Sequence, residues 1–357
     1  MRAVVLVGGK GTRLRPLTWE TPKQMLTLAD LTMIERVVGH LVSHGVDDVV
    51  LSMGYRPDTF LAAFPDGTCA GANIHYAVEP EPLDTAGGIR FAALDAKIDE
   101  TFIVVNGDVL TDLDLSALVA FHRECGAEAT ISLTPVEDPS VFGVVPTNEL
   151  GRVEAFIEKP PPGEAPTNLI NAGTYVLEAW VIERIPDGRK VSIERETFPA
   201  LVADRALFAM ASDEYWLDTG TPASYLRASL DLAAGLRGRP HPEAVGQDGG
   251  WWQVGAGHIV GAVAGPSFIG EGASIAPGAT IEGSVVESGA SVGEGALVRS
   301  SLVCRGAEIG PGAVIEGSVV GAAATIGANA RLTAMTVVQG GAAVDSGIEL
   351  DGARVER

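Results

Sequence analysis

From residue 273 onward the chain repeats itself, and that repetition limits the folds open to it more than any other feature. Aligned on Ala273, Ala290, Ala307 and Ala324, four copies of 17 residues follow a pattern close to Ala-x-Ile-Gly-x-Gly-Ala-x-Ile-x-x-x-x-Val-x-x-Gly. Apolar positions 275, 292, 309 and 326 form one row, 281, 298, 315 and 332 a second, and 286, 303, 320 and 337 a third. Three rows per copy, spaced 6, 5 and 6 residues, describe a three-sided solenoid whose inward residues stack coil upon coil. A helical period does not fit six-residue steps, so the expected structure is a β-helix over residues 259–357. Residues 236–258 are rich in Gly, Pro and charge and are expected to be a linker.

The beginning of the chain reads differently. Ala3-Val4-Val5-Leu6-Val7 is a continuous β-branched run, as in a strand buried on both faces of a parallel sheet. It stops at Gly8, Gly9 and Gly11, which let backbone N–H groups approach an anion closely. Thr12 adds a hydroxyl, Arg13 a planar five-donor fork and Lys23 a mobile point charge. This is the composition of a polyphosphate cradle. A Walker loop would need Lys-Ser/Thr after the last glycine, where Thr12-Arg13 stands, and a dinucleotide fingerprint would need glycine at position 14, which is Leu. Taken alone, such a loop is equally well a plain strand-to-helix turn.

The whole stretch Gly8, Gly9, Gly11, Thr12, Arg13, Leu14, Pro16, Leu17, Thr18, Pro22 and Lys23 resembles the opening signature of the sugar-1-phosphate nucleotidyltransferases, or nucleotide-sugar pyrophosphorylases. The resemblance implies a nucleoside triphosphate over Leu6, Gly8, Gly9, Gly11 and Thr12, with Arg13 and Lys23 on its phosphates as the catalytic cations.

A chain of 357 residues is long enough for two or three domains. Its net charge of −21 argues against binding nucleic acid or an anionic membrane through an overall basic field, so cations near a phosphate must act locally. Cys69, Cys125 and Cys304 are odd in number and scattered, giving neither a disulfide framework nor a metal spacing. There is no basic-apolar-small leader before the first strand and no run of 18 apolar residues. A cytoplasmic protein is expected.

Apolar residues at 33, 34, 37, 38, 41 and 42 predict a helix over 31–43 capped by Gly45. Strands are expected at 49–51, 74–78 and 102–105, with helices near 58–64 and 86–94. Alternation of this kind predicts a Rossmann-like, doubly wound and mostly parallel α/β sheet over residues 1–235, with ligands beyond the carboxyl ends of the strands. Mixed β structure is expected at 129–133, 142–145 and 153–157, a Ser192 capping box before an amphipathic helix, and a closing helix from Pro222 to about Leu236.

Asp108 follows the strand at 102–105 with Asn106 and Gly107 between, where a carboxylate is either a turn former or a ligand. Asp218 lies in Tyr215-Trp216-Leu217-Asp218-Thr219-Gly220, where helix capping competes with metal ligation. Both match positions the family uses for Mg²⁺, and one or two carboxylates plus phosphate oxygens are the usual holders of that ion. The resemblance extends to Glu158-Lys159-Pro160 and to Asn171-Ala172-Gly173-Thr174-Tyr175. It implies Lys159 on the sugar phosphate, Glu158 and Asn171 on sugar hydroxyls, Gly143 leaving room for the ring, and Thr174 nearby. Without it, Lys159 would read as a surface lysine beside a proline.

The base is expected against Glu79-Pro80-Glu81-Pro82-Leu83-Asp84-Thr85-Ala86-Gly87-Gly88, with Glu79, Pro82, Thr85, Ala86 and Gly87 in contact and Asn106 and Asp108 close by. Thymidylyl- and uridylyltransferases carry glutamine at the first of these positions. Glu79 accepts only, which suits the adjacent N1–H and N2–H of guanine. This region and the domain order resemble mannose-1-phosphate guanylyltransferases. Asp84 departs from their glycine, and Gln24 stands where they usually have proline and thymidylyltransferases often have glutamine. Expected partners are therefore GTP and a mannose-1-phosphate-like sugar, with dTTP or UTP and glucose 1-phosphate as the alternative.

The repeats resemble the hexapeptide left-handed β-helix that follows the catalytic domain in several of these enzymes. Acyltransferases share such solenoids but rely on a histidine in the coils, and His40, His44, His75, His122, His241 and His258 all precede the aligned repeats. A scaffold that forms homo-oligomers is the expected role. A catalytically silent regulatory homologue binding NDP-sugar is the rival from another class; it would have no need of Arg13, Lys23, Asp108 and Asp218 together.

Overall fold

The computed structural model describes residues Met1–Arg357. Its packing forms two compact units that do not follow chain order: Met1–Gly9 with Ile34–Trp216, and Lys10–Met33 with Leu217–Arg357. This grouping differs from a division at residue 235, because the segment carrying Arg13 and Lys23 and the helix Pro222–Ala233 pack with the repeats.

The first unit is built on a sheet with the strand Arg2–Leu6 at its centre. That strand runs parallel to Asp48–Met53 on one side and to Phe102–Asn106 on the other, and Ala72–Val78 continues the parallel run. Val4, Val5, Leu51 and Val104 are buried, as the unbroken apolar run requires. The long strand Leu169–Leu177 then joins antiparallel to Phe102–Asn106, and Ala129–Pro135 pairs with it. The helices Met33–Ser43, Pro57–Ala63, Asp84–Asp95 and Leu115–Cys125 alternate with the strands. Gly45, at φ 79°, ends the first helix, with Val46 N–H reaching back to Leu41 O at 3.1 Å.

Two expectations for this unit are corrected. Continuous strand at 142–157 is reduced to Gly143–Val144 and Ile157–Glu158, with only single bridges between, Thr147 to Val153 and Arg152 to Phe208, around a turn at Asn148 whose side chain accepts from Leu150 and Arg152. Ser192 does cap Arg195 N–H, but the expected capping-box glutamate does not answer it: Glu194 accepts instead from the Thr85 and Ser192 hydroxyls, and the first turn is a π-helix, Ile193–Thr197. In the second unit, the helix after Pro222 is capped by Thr221 through a capping box with Ser224, which leaves Asp218 outside that role.

In the second unit three parallel sheets run along the repeats. Ile275, Val292, Ile309 and Ile326 stack in one, and Ile281, Val298, Ile315 and Leu332 in another, as expected. The third row departs by one residue: Val286, Val303 and Val320 continue to Val338 and not to Val337. The extra residue is absorbed at the corner Ala334–Met335, where both residues have positive φ. Beside this row Ser267, Ser284, Ser301 and Ser318 form a buried ladder, each hydroxyl accepting the next serine's N–H at 3.1 Å. The expected linker is also corrected at its far end. Val245–Gln247 and Trp251–Gln253 form a hairpin that starts the solenoid, and His258–Ile259 already pairs with Ser274–Ile275. His258 thus sits on a coil, exposed, ahead of the aligned repeats.

All three cysteines are free, and no helix is long and apolar enough to cross a membrane.

Candidate active site

The loop after the first strand has the backbone a phosphate cradle needs. Gly9 and Gly11 have φ 108° and 57°, and none of the N–H groups from Gly8 to Arg13 donates to a backbone carbonyl. These residues are exposed, Gly11 half-buried, so the loop backbone is open to an anion. Gly11 opens the single turn Thr12–Leu14, and its carbonyl accepts from Leu14 N–H at 3.0 Å and from the Thr18 hydroxyl at 2.7 Å. A methyl group at Gly11 would lie 3.1 Å from Thr18 Cγ2 and 3.3 Å from Lys23 Cβ, so the glycine is what lets the lysine segment pass so close.

Arg13 and Asp218 meet in the second unit, Nη2 to Oδ2 at 3.7 Å, with the guanidinium largely exposed. Asp218 Oδ1 accepts from Gly220 N–H at 2.7 Å, which holds its carboxylate. A methyl at Gly220 would come within 2.5 Å of Arg13 Nη2, so the guanidinium as placed uses the space this glycine leaves. Gln24, beside Lys23, is fully buried and neither atom of its amide has a partner.

In the first unit, Leu6 ends its strand between Ser52 and Asn106. Gly107 is dictated by space, since a methyl there would lie 2.9 Å from Leu6 O; this brings Asp108 directly after the strand end. Glu79 follows the strand Ala72–Val78 and is held on both oxygens: the Ser52 hydroxyl donates to Oε1 at 3.1 Å and Leu83 N–H to Oε2 at 3.0 Å. An ionised carboxylate has about four lone-pair sites, so half its accepting capacity remains. Gly88 leaves room for this carboxylate, as a methyl there would be 2.7 Å from Oε1. Pro82 is exposed on the same loop.

Thr85, Ala86 and Gly87, in the loop expected against the base, also tie that loop to the segment 191–194. The Thr85 hydroxyl donates to Glu194 and accepts from Ile193 N–H, while Ala86 and Gly87 N–H both donate to Val191 O. Asp84, where the resembled enzymes carry glycine, has φ 65°, a conformation glycine adopts freely.

On the antiparallel side Gly143 faces Glu158, and the volume a side chain at Gly143 would fill is held by Phe156, 2.8 Å from the position of its methyl. Lys159 leaves the strand with φ 50° and pairs with Glu158 at 3.5 Å, its ammonium exposed. Asn171 precedes a bulge in the pairing of Leu169–Leu177 with Ala129–Pro135, and bulges of this kind re-aim side chains. Its amide donates to the Tyr175 hydroxyl and accepts from Gly173 N–H, both at 3.0 Å. Thr174 is 2% exposed and lies in the sheet opposite Val105. Sequence reasoning missed Ser52, which orients Glu79, and Trp216, whose indole donates to Ala172 O at 2.8 Å and stacks edge-on with Phe142. No pattern in the chain marks either residue.

Comparison with known proteins shows the family. Residues 2–235 match the Nucleotidyl transferase family and residues 263–356 the GMPPB C-terminal domain. Mannose-1-phosphate guanylyltransferase of Mycobacterium tuberculosis is 45% identical over 79% of this chain and 78% of its own length. Mannose-1-phosphate guanyltransferase of Gibberella zeae is 43% identical over 63% of this chain, which spans 62% of that protein. HddC from Yersinia pseudotuberculosis complexed with GMP-PN is 28% identical, with a TM-score of 0.55 over 64% of this chain and 97% of that one. With its first two thirds matched by that family's model and its cation-bearing glycine loop in place, the chain belongs to the nucleotidyl transferase family.

Proposed function

We propose that this protein joins GTP to a mannose-1-phosphate-like sugar, giving a GDP-sugar and pyrophosphate. The observation that carries the reading is the glycine loop with its unpaired N–H groups and Arg13 beside Asp218. The names of the relatives support the same substrates.

A phosphate oxygen of the sugar attacks the α-phosphorus in line; the bond to the β-phosphate oxygen breaks, and pyrophosphate leaves with that electron pair. No covalent enzyme intermediate is required, so the protein's work is positioning and charge neutralisation. The loop amides and Thr12 hold the triphosphate, with Arg13 and Lys23 neutralising charge as it moves to the leaving group. Lys159 orients the attacking phosphate while Glu158 and Asn171 accept and donate to sugar hydroxyls. Glu79 takes the N1–H and N2–H of guanine on its remaining lone pairs. Asp108 and Asp218 offer hard oxygen donors of the kind Mg²⁺ takes together with phosphate oxygens, and their fit rests on that chemistry, since no group of three metal-binding side chains occurs. When bound, Mg²⁺ supplies charge neutralisation on the phosphates. We assign the protein to the cytoplasm, in line with its three free thiols. We also assign it to a homo-oligomer formed through the solenoid, whose terminal strands leave sheet edges.

The test is Mg²⁺-dependent pyrophosphate release, crossing GTP, dTTP, UTP, CTP and ATP with mannose 1-phosphate, glucose 1-phosphate and related sugar phosphates. GTP with mannose 1-phosphate is expected to lead. A lead for dTTP or UTP overturns the role of Glu79, and silence with every pair in folded protein overturns the activity and favours a regulatory NDP-sugar binder.

A further inference from the structure

Lys10–Met33 interrupts the sheet in sequence but packs with the repeats. Its second half is a hairpin, Thr27–Leu28 against Leu31–Thr32, turned by Ala29 and Asp30 at φ 48° and 67°. Positive φ at both positions is the type I′ turn that glycine and asparagine favour. Alanine in that region costs about 1 kcal/mol or more and persists where the surroundings hold it.

The solenoid provides that hold. The Asp30 carboxylate accepts Ser288 N–H at 2.8 Å and the Ser288 hydroxyl at 2.7 Å, and Arg305 Nη2 donates to Asp30 O at 2.9 Å. The Thr27 hydroxyl donates to Glu287, and the Tyr225 hydroxyl donates to Thr27 O. Gly270 leaves the space the Asp30 carboxylate fills, since a methyl there would run into Oδ2. Asp30 itself is 9% exposed while its bonds to Ser288 and Arg305 are part-buried, so the carboxylate end of the grip is screened less than an exposed pair would be.

The grip lies close to the cation. Leu26 N–H donates to Lys23 O at 3.2 Å, and Met33 N–H, beyond the hairpin, donates to Leu26 O at 3.0 Å. The hairpin therefore closes back on the turn Lys23–Met25. A weaker hold acts further up the same segment, where Trp19 Nε1 donates to Glu356 at 2.9 Å and Arg357 pairs with Glu20 at 2.9 Å.

We propose that Asp30, gripped by Ser288 and Arg305, is a positioning residue for Lys23, so that the solenoid sets the geometry of the triphosphate loop in addition to any part in assembly. The proposal rests on the reading of Lys23 as a phosphate-binding cation.

The experiment uses the full chain with Asp30→Ala, Asp30→Asn and Ser288→Ala, reading steady-state kinetics with GTP and mannose 1-phosphate and amide hydrogen exchange. Asp30→Ala is expected to lower kcat tenfold or more while KM for the sugar phosphate changes less than threefold. Amides of residues 23–28 should exchange at least tenfold faster, with strands 275–332 unchanged. Asp30→Asn keeps an acceptor for Ser288 N–H and should recover most of both losses. Ser288→Ala removes one bond only and should move both readouts in the same direction by a smaller amount, which serves if Asp30→Ala does not fold. Wild-type kcat and wild-type exchange at 23–28 in these variants overturn the proposal. Should the wild type turn over no substrate pair, the proposed function fails on its own, and the exchange readout still decides whether Asp30 fixes the lysine segment.

Discussion

The Thr27 hydroxyl donates to Oε2 of Glu287 at 2.5 Å, and Glu287 has no solvent exposure at all. Burial raises this carboxyl from 4.5 to about 7; the Thr27 hydroxyl and the N–H groups of Arg305 and Asp30 pull it down, and the Asp30 charge pushes it up. Also packed there are the Cys304 thiol and Tyr225 phenol, both held neutral by burial, and the Arg305 cation, which faces Cys304. A carboxyl raised in the folded state keeps a proton that the unfolded chain releases. Its stabilisation is full below pH about 4.5, falls as pH rises towards 7 and is then level. Thermal unfolding of Glu287→Gln between pH 5 and 8 is expected to lose that decline and to leave the variant more stable than wild type at pH 8. Parallel curves for the two proteins would refute it.

Gln24 gives a prediction of opposite signs for stability and catalysis. Its buried amide lacks partners, and each unmade bond of this kind costs about 1–3 kcal/mol. Gln24→Met keeps the volume without the polar atoms. Tm should rise by several degrees. If the amide is kept for a bound substrate, kcat/KM should fall in the same protein; a fall in Tm would show that the amide is satisfied within the fold.

Asp84 holds a glycine-like φ of 65° and adds an anion to a loop proposed to face a triphosphate. Asp84→Gly should lower KM for GTP several-fold at low ionic strength, and the gap should narrow at about 1 M salt, where charges are screened beyond about 3 Å. A salt-independent difference would assign the effect to backbone conformation.

For Arg13, whose guanidinium stands 3.7 Å from Asp218, replacement by Ala should reduce kcat by about 10²–10³ with a smaller change in KM, the mark of a donor that acts on transition-state charge. Arg13→Lys keeps the charge but not the planar fork and should recover only part. Full activity in Arg13→Ala would remove it from the catalytic set.

What the sequence made legible was local. The rows at 275, 281 and 286 follow from spacing alone, and the run from Ala3 to Val7 with its glycines announces both a buried strand and an anion loop. The one-residue slip at Val338 was hidden because Ala334 and Met335 take up the extra residue in positive-φ conformations that their side chains do not advertise. Asp30 and Ser288 are 258 positions apart, and no periodicity links them. Glu79 was readable as a carboxylate after a strand, but not as one already shared between Ser52 and Leu83. Thr85 to Gly87 were read as part of a base loop from their place after a strand and from the resemblance; that Val191 O takes the Ala86 and Gly87 N–H groups was hidden by a separation of more than 100 residues.

The bond between Asp30 and Ser288 also orders events during synthesis. Residues 10–33 leave the ribosome among the first, yet the groups that fix them, at 287, 288 and 305, are made more than 250 residues later. At about 5–20 residues per second, that interval lasts some tens of seconds. The nascent sheet can pair its parallel strands meanwhile, and the lysine segment first meets Asp218 and Tyr225, about 200 residues after it, while its grip on the repeats waits longer. A chain whose synthesis stalls before the repeats therefore lacks the bonds from Asp30 to Ser288 and Arg305 that complete the hold on this segment.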